Sequence, residues 1–200
     1  MKKLIAVLLV LALISPVVLA AEQKGMEQTS TTQEKVQSTN ELRQLIQERQ
    51  QQMYQEMANL GEQEKGVYQN QNKVRLAVHA LLAMEDLAGN VGPQIAQVAR
   101  EFDNSVQATI KAEEKVQKRS GFARFFAGGD KDSAEDIEAQ VVKNKQRIQQ
   151  LNQLRSQCSN EDVKNIIREQ IASMESEQTR LQNLAQKEKE SKGLFGWIWK

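Results

Sequence analysis

Cysteine and histidine, on which most metal and nucleophile chemistry depends, are almost absent from this sequence. Among its 200 residues there is one cysteine, Cys158, and one histidine, His79. A lone cysteine cannot close an intrachain disulfide, so Cys158 is either a free thiol or a link to another molecule. His79 lacks the companions that a metal site or a general base needs, and we interpret it as a structural histidine of a helix.

Catalytic motifs are lacking as well. The sequence contains no HExxH, CxxC or GxSxG pattern and no phosphate-binding Gly-Lys-Ser/Thr loop. Gly128, Gly129 and Asp130 could offer backbone donors to an anion, but turn chemistry explains them better. Acidic pairs such as Glu113 and Glu114 are typical of solvated helix faces. The sequence therefore predicts a non-enzymatic protein with no catalytic, cofactor or metal site.

Aromatic residues and net charge are scarce. Aromatics make up 4% of the chain and the mean hydropathy is −0.60, which favours elongated helices with narrow buried stripes over a globule with a large core. Basic residues number 27 and acidic residues 26. Because nucleic-acid binding depends on neutralising phosphates, so balanced a chain predicts no nucleic-acid partner.

The N-terminal segment has the pattern of a secretory signal. Two lysines precede an apolar run over residues 4–14, and the segment ends in the small residues Ala20 and Ala21. This order predicts a signal peptide over residues 1–21. The alternative is an uncleaved signal anchor, although the stretch barely reaches the ~20 residues that span a bilayer. Both interpretations place the protein outside the cytoplasm, secreted or associated with the cell envelope.

A repeat of seven dominates the next part of the chain. Residues 22–32 are small and polar and predict a disordered lead-in. Within residues 33–88, apolar side chains recur at every seventh position, a pattern that keeps one stripe of a helix facing one partner. We call them the heptad stripe: Ile46, Met53, Leu60, Val67, Val74 and Leu81. The Gln-rich letters at 47–57 could alternatively be low-complexity disorder.

The heptad stripe predicts one long N-terminal helix, about 80 Å in length at 1.5 Å per residue. Only Gly61 and Gly66 interrupt it. Such a helix is twice as long as those that follow, so its first half must protrude as a coiled-coil arm, bend back at the glycines, or pair with another copy. We expect self-association through the residues that lack an evident partner within the chain, namely Ile46, Met53, Leu60 and Val67.

Three shorter helices are predicted after the long one. The second begins at Pro93 and runs to about residue 118; the third begins near Ser133 and the fourth near Ser159, each serine starting a capping-box pattern. Short connections make neighbouring helices antiparallel. The prediction is an all-α fold, an elongated antiparallel helical bundle or coiled coil over residues 33–192. Cys158 would lie at a hairpin tip, where it could form an intermolecular disulfide.

Most of the aromatic residues fall in two short segments that this topology brings to the same end. The segment 119–132 carries Phe122, Phe125 and Phe126, and the C-terminal tail 193–200 carries Phe195, Trp197 and Trp199. Aromatics interleaved with lysine and arginine suit a membrane interface. The alternative is that the two clusters pack on each other and close the end of the bundle.

Several short stretches resemble a known group of proteins. VHALLAM at 78–84, GPQ at 92–94, SGFARFFAGGD at 120–130 and GLFGWIWK at 193–200 are similar to secreted helical proteins of methanogenic archaea. The resemblance covers roughly residues 74–200. It implies a secreted helical protein but no activity, cofactor or site.

Three functions follow from these features. The first is a non-enzymatic structural or protein-interaction module of the cell envelope, which binds itself or another helical protein. The second is a peripheral membrane-binding protein that uses the segment 119–132 and the tail 193–200. The third is an extracytoplasmic four-helix ligand-binding or sensor domain.

Overall fold

The computed structural model describes residues 36–194, apart from the side chain of Gln63, and these residues contain no β-strand. The prediction of an all-α fold is therefore confirmed. The predicted signal peptide or anchor, the lead-in, and Phe195, Trp197 and Trp199 lie outside the described residues. The helices are α1 Thr39–Met57, α2 Glu62–Ala83, α3 Gly92–Lys118, α4 Gly121–Ala127, α5 Lys131–Gln157 and α6 Glu161–Glu190, with a 3-10 turn at Gly89–Val91.

The structure does not contain the long N-terminal helix that the heptad stripe predicts. Helix α1 ends at Met57 and α2 begins at Glu62, after Gly61 has taken an extended backbone conformation. Asparagine and glycine are poor helix formers, and Asn59 and Gly61 fall together here. Reversing the chain also lets α1 bury Leu42, a gain that a protruding arm would forgo.

Helix α1 runs back along α2. Arg49 approaches His79, and Glu56 approaches Arg75, so residue numbers fall on α2 as they rise on α1. Of the three arrangements considered for the first half of the helix, the structure shows the one in which the chain bends back. Gly66, the other predicted interruption, lies inside α2.

The starts of α5 and α6 are capped, but not by the predicted serines. The Asp130 carboxylate accepts a hydrogen bond from the Ser133 N–H, and the Asn160 side chain accepts from the Asp162 and Val163 N–H groups. Both caps leave backbone donors of the first turn satisfied. The cap of α5 therefore lies three residues before the predicted Ser133, and the cap of α6 lies one residue after the predicted Ser159.

Four of the helices share the main core. Contacts link α2 with α3, α3 with α5, α5 with α6, and α6 with α2, which forms a helical bundle. Helix α1 makes its main helix contact with α2. Most of the largest fully buried side chains are apolar, among them Leu81, Ile95, Phe102, Ile137, Leu151, Ile166, Met174 and Leu181.

Candidate functional site

The segment 119–132, which separates the second and third predicted helices, contains the short helix α4. The Ser120 hydroxyl accepts a hydrogen bond from the Ala123 N–H at 3.1 Å and caps the helix start. Gly128 ends the helix with φ of 82°, a left-handed conformation that other residues rarely adopt. Three phenylalanines thus lie on one helix, at positions 122, 125 and 126.

Two of these phenylalanines are unusually exposed. Phe122 is 75% exposed and Phe125 59% exposed, whereas Phe126 is half-buried beneath them, with its ring centroid 4.5 Å and 5.0 Å from theirs. Within residues 36–194 only five large hydrophobic side chains are exposed, and Phe122, Phe125 and Leu194 are three of them. We call these three residues the aromatic surface. Clustered exposed apolar side chains mark interaction sites more often than scattered ones do.

A buried carboxylate fixes α4 in place. Arg124 donates from Nη1 to Glu188 Oε1 at 2.7 Å and from Nη2 to the Val116 carbonyl at 2.6 Å. The other oxygen of Glu188, a buried residue of α6, accepts from the Asp130 N–H at 3.1 Å. One carboxylate therefore ties both α4 and the start of α5 to α6 through charge-assisted hydrogen bonds.

The beginning of the C-terminal tail lies directly beside α4. The Leu194 N–H donates to the Phe125 carbonyl at 2.8 Å, and the Gly129 N–H donates to the Ser191 carbonyl at 3.0 Å. The two segments are so close that a Cβ at Gly193 would overlap the Phe126 carbonyl. The structure thus brings the first residues of the tail to the 119–132 segment, as the up-and-down topology predicts.

The cations near this end differ in availability. Lys115, Lys118 and Lys192 are exposed. Arg124 is engaged by Glu188, and Arg119 lies 3.9 Å from Asp130. Lys118 Nζ is itself 3.3 Å from Glu114 Oε2. Among the basic residues of this end that the structure describes, Lys115 and Lys192 are therefore the exposed ones that remain open to a partner.

A second polar cluster lies in the core, where Glu113 and Glu177 share one guanidinium. Arg180 Nη2 is 2.7 Å from Glu113 Oε2 and 2.7 Å from Glu177 Oε1. Gln71 Nε2 donates to the same two oxygens at 2.7 Å and 3.0 Å. We call these four residues the polar layer; it joins α2, α3 and α6. Burial raises the pKa of the Glu177 carboxyl, although Arg180 opposes the shift.

The polar layer overturns one interpretation of the sequence. Glu113, expected on a solvated face, is fully buried, and its Oε1 has no hydrogen-bond partner. Its position between Ile110 and Val116, both buried on the same helix, is the signal that could have revealed this. In the described residues no group of three or more metal-ligating side chains occurs. The geometry suits a layer that fixes how the helices pair.

His79 lies between α1 and α2. Arg49 Nη2 is 3.3 Å from His79 Nε2. Burial, together with the nearby charges of Arg49 and Arg75, lowers the pKa of His79 to about 4. The ring is therefore neutral at pH 7 and can accept the Arg49 hydrogen bond.

No known protein family, curated protein or solved structure matches this chain. Among the helices in residues 36–194, none has both the length and the hydrophobicity that a bilayer span requires.

The other predicted site residues are placed as follows. Met53 and Val67 are buried within the chain, and Ile46 and Leu60 are half-buried. The premise that the heptad stripe has no partner in its own chain is therefore wrong for Met53 and Val67, while self-association stays a prediction. Cys158 lies between α5 and α6 as expected, but it is only 3% exposed, so an intermolecular disulfide would require local opening.

Proposed function

We propose that this protein is a non-enzymatic helical protein of the cell envelope that docks on a bilayer through its aromatic surface. One observation carries the proposal: Phe122 and Phe125 are held in solvent on a helix that an ion pair to the buried Glu188 carboxylate fixes in place. Phe102, by contrast, is fully buried in the core. A chain with few aromatics that exposes two of them side by side has a surface suited to an apolar partner.

The expected strength of docking can be worked from the exposed areas. Burying a phenylalanine side chain completely contributes roughly 1.5 to 3 kcal/mol. With 75% and 59% of their area exposed, Phe122 and Phe125 together would contribute about 2 to 4 kcal/mol. That alone gives weak, reversible binding, comparable to less than one acyl chain. In this proposal Phe126, Phe195, Trp197 and Trp199 complete the contact, with the tryptophans at headgroup level.

We also propose that the helices form an elongated antiparallel bundle with the aromatic surface at one end. Contacts between α5 and α6 support it, because Asn144 meets Gln178 whereas Glu138 meets Lys189. Between α2 and α3 the residue numbers also run in opposite directions, because Tyr68 meets Glu114 whereas Gln71 meets Glu113. Lengthwise helices place the aromatic surface at one tip, where it can reach a membrane without steric hindrance from the body.

The extracytoplasmic location rests on the signal pattern in residues 1–21. The structural or protein-interaction module predicted from the sequence remains the broader class to which this proposal belongs. The ligand-binding or sensor domain also remains a prediction.

Vesicle flotation of the exported chain, its first residue determined by N-terminal sequencing, tests the proposal. The variant Phe122→Ser/Phe125→Ser should lose most of its flotation with vesicles that contain anionic phospholipid. Tyr54→Ser is the matched control, because Tyr54 is an aromatic of similar exposure on α1, and it should float like the wild type. Equal flotation of both variants would overturn bilayer docking. Failure of the wild type to float, with binding to an apolar groove of an envelope protein, would place the aromatic surface in a protein interface instead.

A further inference from the structure

Arginine, asparagine and histidine side chains gather at the interface between α1 and α2. Asn72, Arg75 and His79 follow one another on α2 at spacings of three and four, so they lie on one side of that helix. Arg49 of α1 meets the same side, with its Nη2 3.3 Å from His79 Nε2. We call these four residues the arginine cluster. Asn72 and Arg75 are buried, and the other two are half-buried.

The arginine cluster holds more hydrogen-bond donors than acceptors. Arg75 Nη1 donates to Asn72 Oδ1 at 2.8 Å, and Arg49 Nη1 donates to Gln52 Oε1 at 2.9 Å. Because a guanidinium can only donate, Arg75 fixes which end of the Asn72 amide faces it. Asn72 Nδ2 and Arg49 Nε are then buried without a hydrogen-bond partner among the described residues. Unpaired buried donors cost stability, so the cluster would gain from a further acceptor.

Negative charge near the arginine cluster is weak as well. The Glu56 carboxylate is 3.7 Å from Arg75 Nη1, and its side chain is 40% exposed. The exposed Asp103 of α3 also attracts Arg75. Burial and the nearby charge of Arg49 lower the pKa of Arg75, although both carboxylates oppose the shift. The two carboxylates therefore do not offset the cost of burying this guanidinium.

Arg180 of the polar layer shows what a fully paired arginine looks like in this fold. Its guanidinium lies 2.7 Å from the carboxylates of both Glu113 and Glu177. Although burial opposes the shift, hydrogen bonds to these carboxylates raise the pKa of Arg180. Arg75 is the more buried of the two, with 10% of its side chain exposed against 31% for Arg180. Its nearest carboxylate among the described residues is nevertheless the one at 3.7 Å.

We propose that the arginine cluster binds a small oxyanion, either a phosphate or a carboxylate, between Arg49 and Arg75. A guanidinium presents paired donors that match two oxygens of such an anion, and Asn72 Nδ2 supplies a further donor. The half-buried Arg49 and the exposed Glu56 leave the cluster accessible from solvent. The bound anion bridges α1 and α2. None of the residues of the aromatic surface takes part, so oxyanion binding and bilayer docking can fail separately.

Replacing either arginine by methionine removes the guanidinium donors and keeps most of the aliphatic side chain. Arg49→Met and Arg75→Met should each weaken phosphate binding by about tenfold or more, because both guanidinium groups contact the anion. Glu56 is exposed enough to be hydrated without Arg75, so Arg75→Met should keep the helix content of the wild type in circular dichroism. Arg43→Met is the matched control, since Arg43 is an exposed arginine of α1 outside the cluster, and it should bind phosphate like the wild type.

Removing the competing carboxylate should act in the opposite direction. Glu56→Gln deletes the charge nearest to Arg75, so we expect phosphate to bind about fivefold more tightly. Glu48→Gln is its matched control, because Glu48 is exposed on the same helix and accepts a hydrogen bond from Gln44; it should leave the affinity unchanged. An anion held only by the overall charge of the chain would respond equally to both variants, and that result would overturn the proposal.

Two-dimensional proton–nitrogen NMR of the exported chain measures the binding. The chain is titrated with inorganic phosphate, and separately with acetate, at a constant ionic strength set by sodium chloride. We expect saturable shifts of the Arg49 and Arg75 Nε–H signals with a roughly millimolar dissociation constant, and the anion that binds more tightly identifies the kind of oxyanion. Phosphate should also raise the unfolding temperature of the wild type but not that of Arg75→Met. Shifts with neither anion, or equal affinities in Arg49→Met and Arg43→Met, would show that the site does not exist.

Discussion

Removal of the Arg180 side chain tests the polar layer most directly. Arg180 contacts both buried carboxylates, through Nη2 to Glu113 and through Nε and Nη2 to Glu177. The variant Arg180→Met keeps most of the aliphatic bulk of the side chain and deletes its charge. Glu113 and Glu177 would then retain Gln71 as their shared donor, and two like charges would face each other in the core.

The size of the effect follows from the protonation of the Glu177 carboxyl, whose pKa burial already raises. Breaking a buried ion pair costs about 3 to 5 kcal/mol, but a stranded carboxylate can escape part of this by taking up a proton. From the ordinary glutamate pKa of 4.5, protonation costs about 3.4 kcal/mol at pH 7 and about 0.7 kcal/mol at pH 5. We therefore expect Arg180→Met to lose about 3 kcal/mol of unfolding free energy at pH 7 and about 1 kcal/mol at pH 5.

The sign of this pH dependence is set by the direction of the pKa shift. A carboxyl whose pKa is raised in the folded state stabilises the fold when protonated, and this contribution is lost as the pH rises through the raised pKa. The deficit of the variant must therefore shrink as the pH falls from 7 towards 4.5. Urea unfolding followed by circular dichroism measures both values.

Lys189→Met is the matched control for Arg180→Met. Lys189 forms an exposed ion pair with Glu138 at 3.0 Å, and its removal should change stability little at either pH. A deficit of Arg180→Met below about 1 kcal/mol, or one that is the same at pH 7 and pH 5, would refute the reasoning.

Two further predictions concern the other buried groups. The pKa of His79 is about 4 in the folded chain, against an ordinary value of 6.5. As the pH falls, the unfolded chain therefore takes up the proton first, and the free energy of unfolding decreases between pH 6.5 and pH 4. After allowance for the partial exposure of the ring, this decrease is about 2 kcal/mol. His79→Gln should lose less stability than the wild type over this range in urea unfolding, and equal losses would show that the ring is not buried as described. Cys158 is buried, so a thiol reagent should modify it roughly a hundredfold more slowly in the native chain than in urea; equal rates would contradict that burial.

Local signals predicted much of the fold. Periodic apolar residues fixed the existence of α3, α5 and α6, since a stripe at helical spacing can be buried only by a helix. Gly92 and Pro93 marked the start of α3 as expected. The candidate site was partly predictable as well, because three of the five phenylalanines cluster in one short segment. Its helical form was not, since α4 depends on the Ser120 cap and on Arg124 reaching a carboxylate 64 residues away.

The sequence by itself determined that this protein is helical, has the pattern of an exported chain and concentrates its aromatics in two segments, because periodicity, signal pattern and composition are local properties. Tertiary structure alone decided that the chain reverses near Gly61 instead of protruding or pairing with another copy, that Glu113 is buried beside Arg180, and that Phe122 and Phe125 face solvent. Each of these depends on which side chain from a distant part of the chain arrives as a partner. The physical reason is that burial and pairing energies come from contacts between helices, whereas the helix propensity of a segment depends only on its own residues.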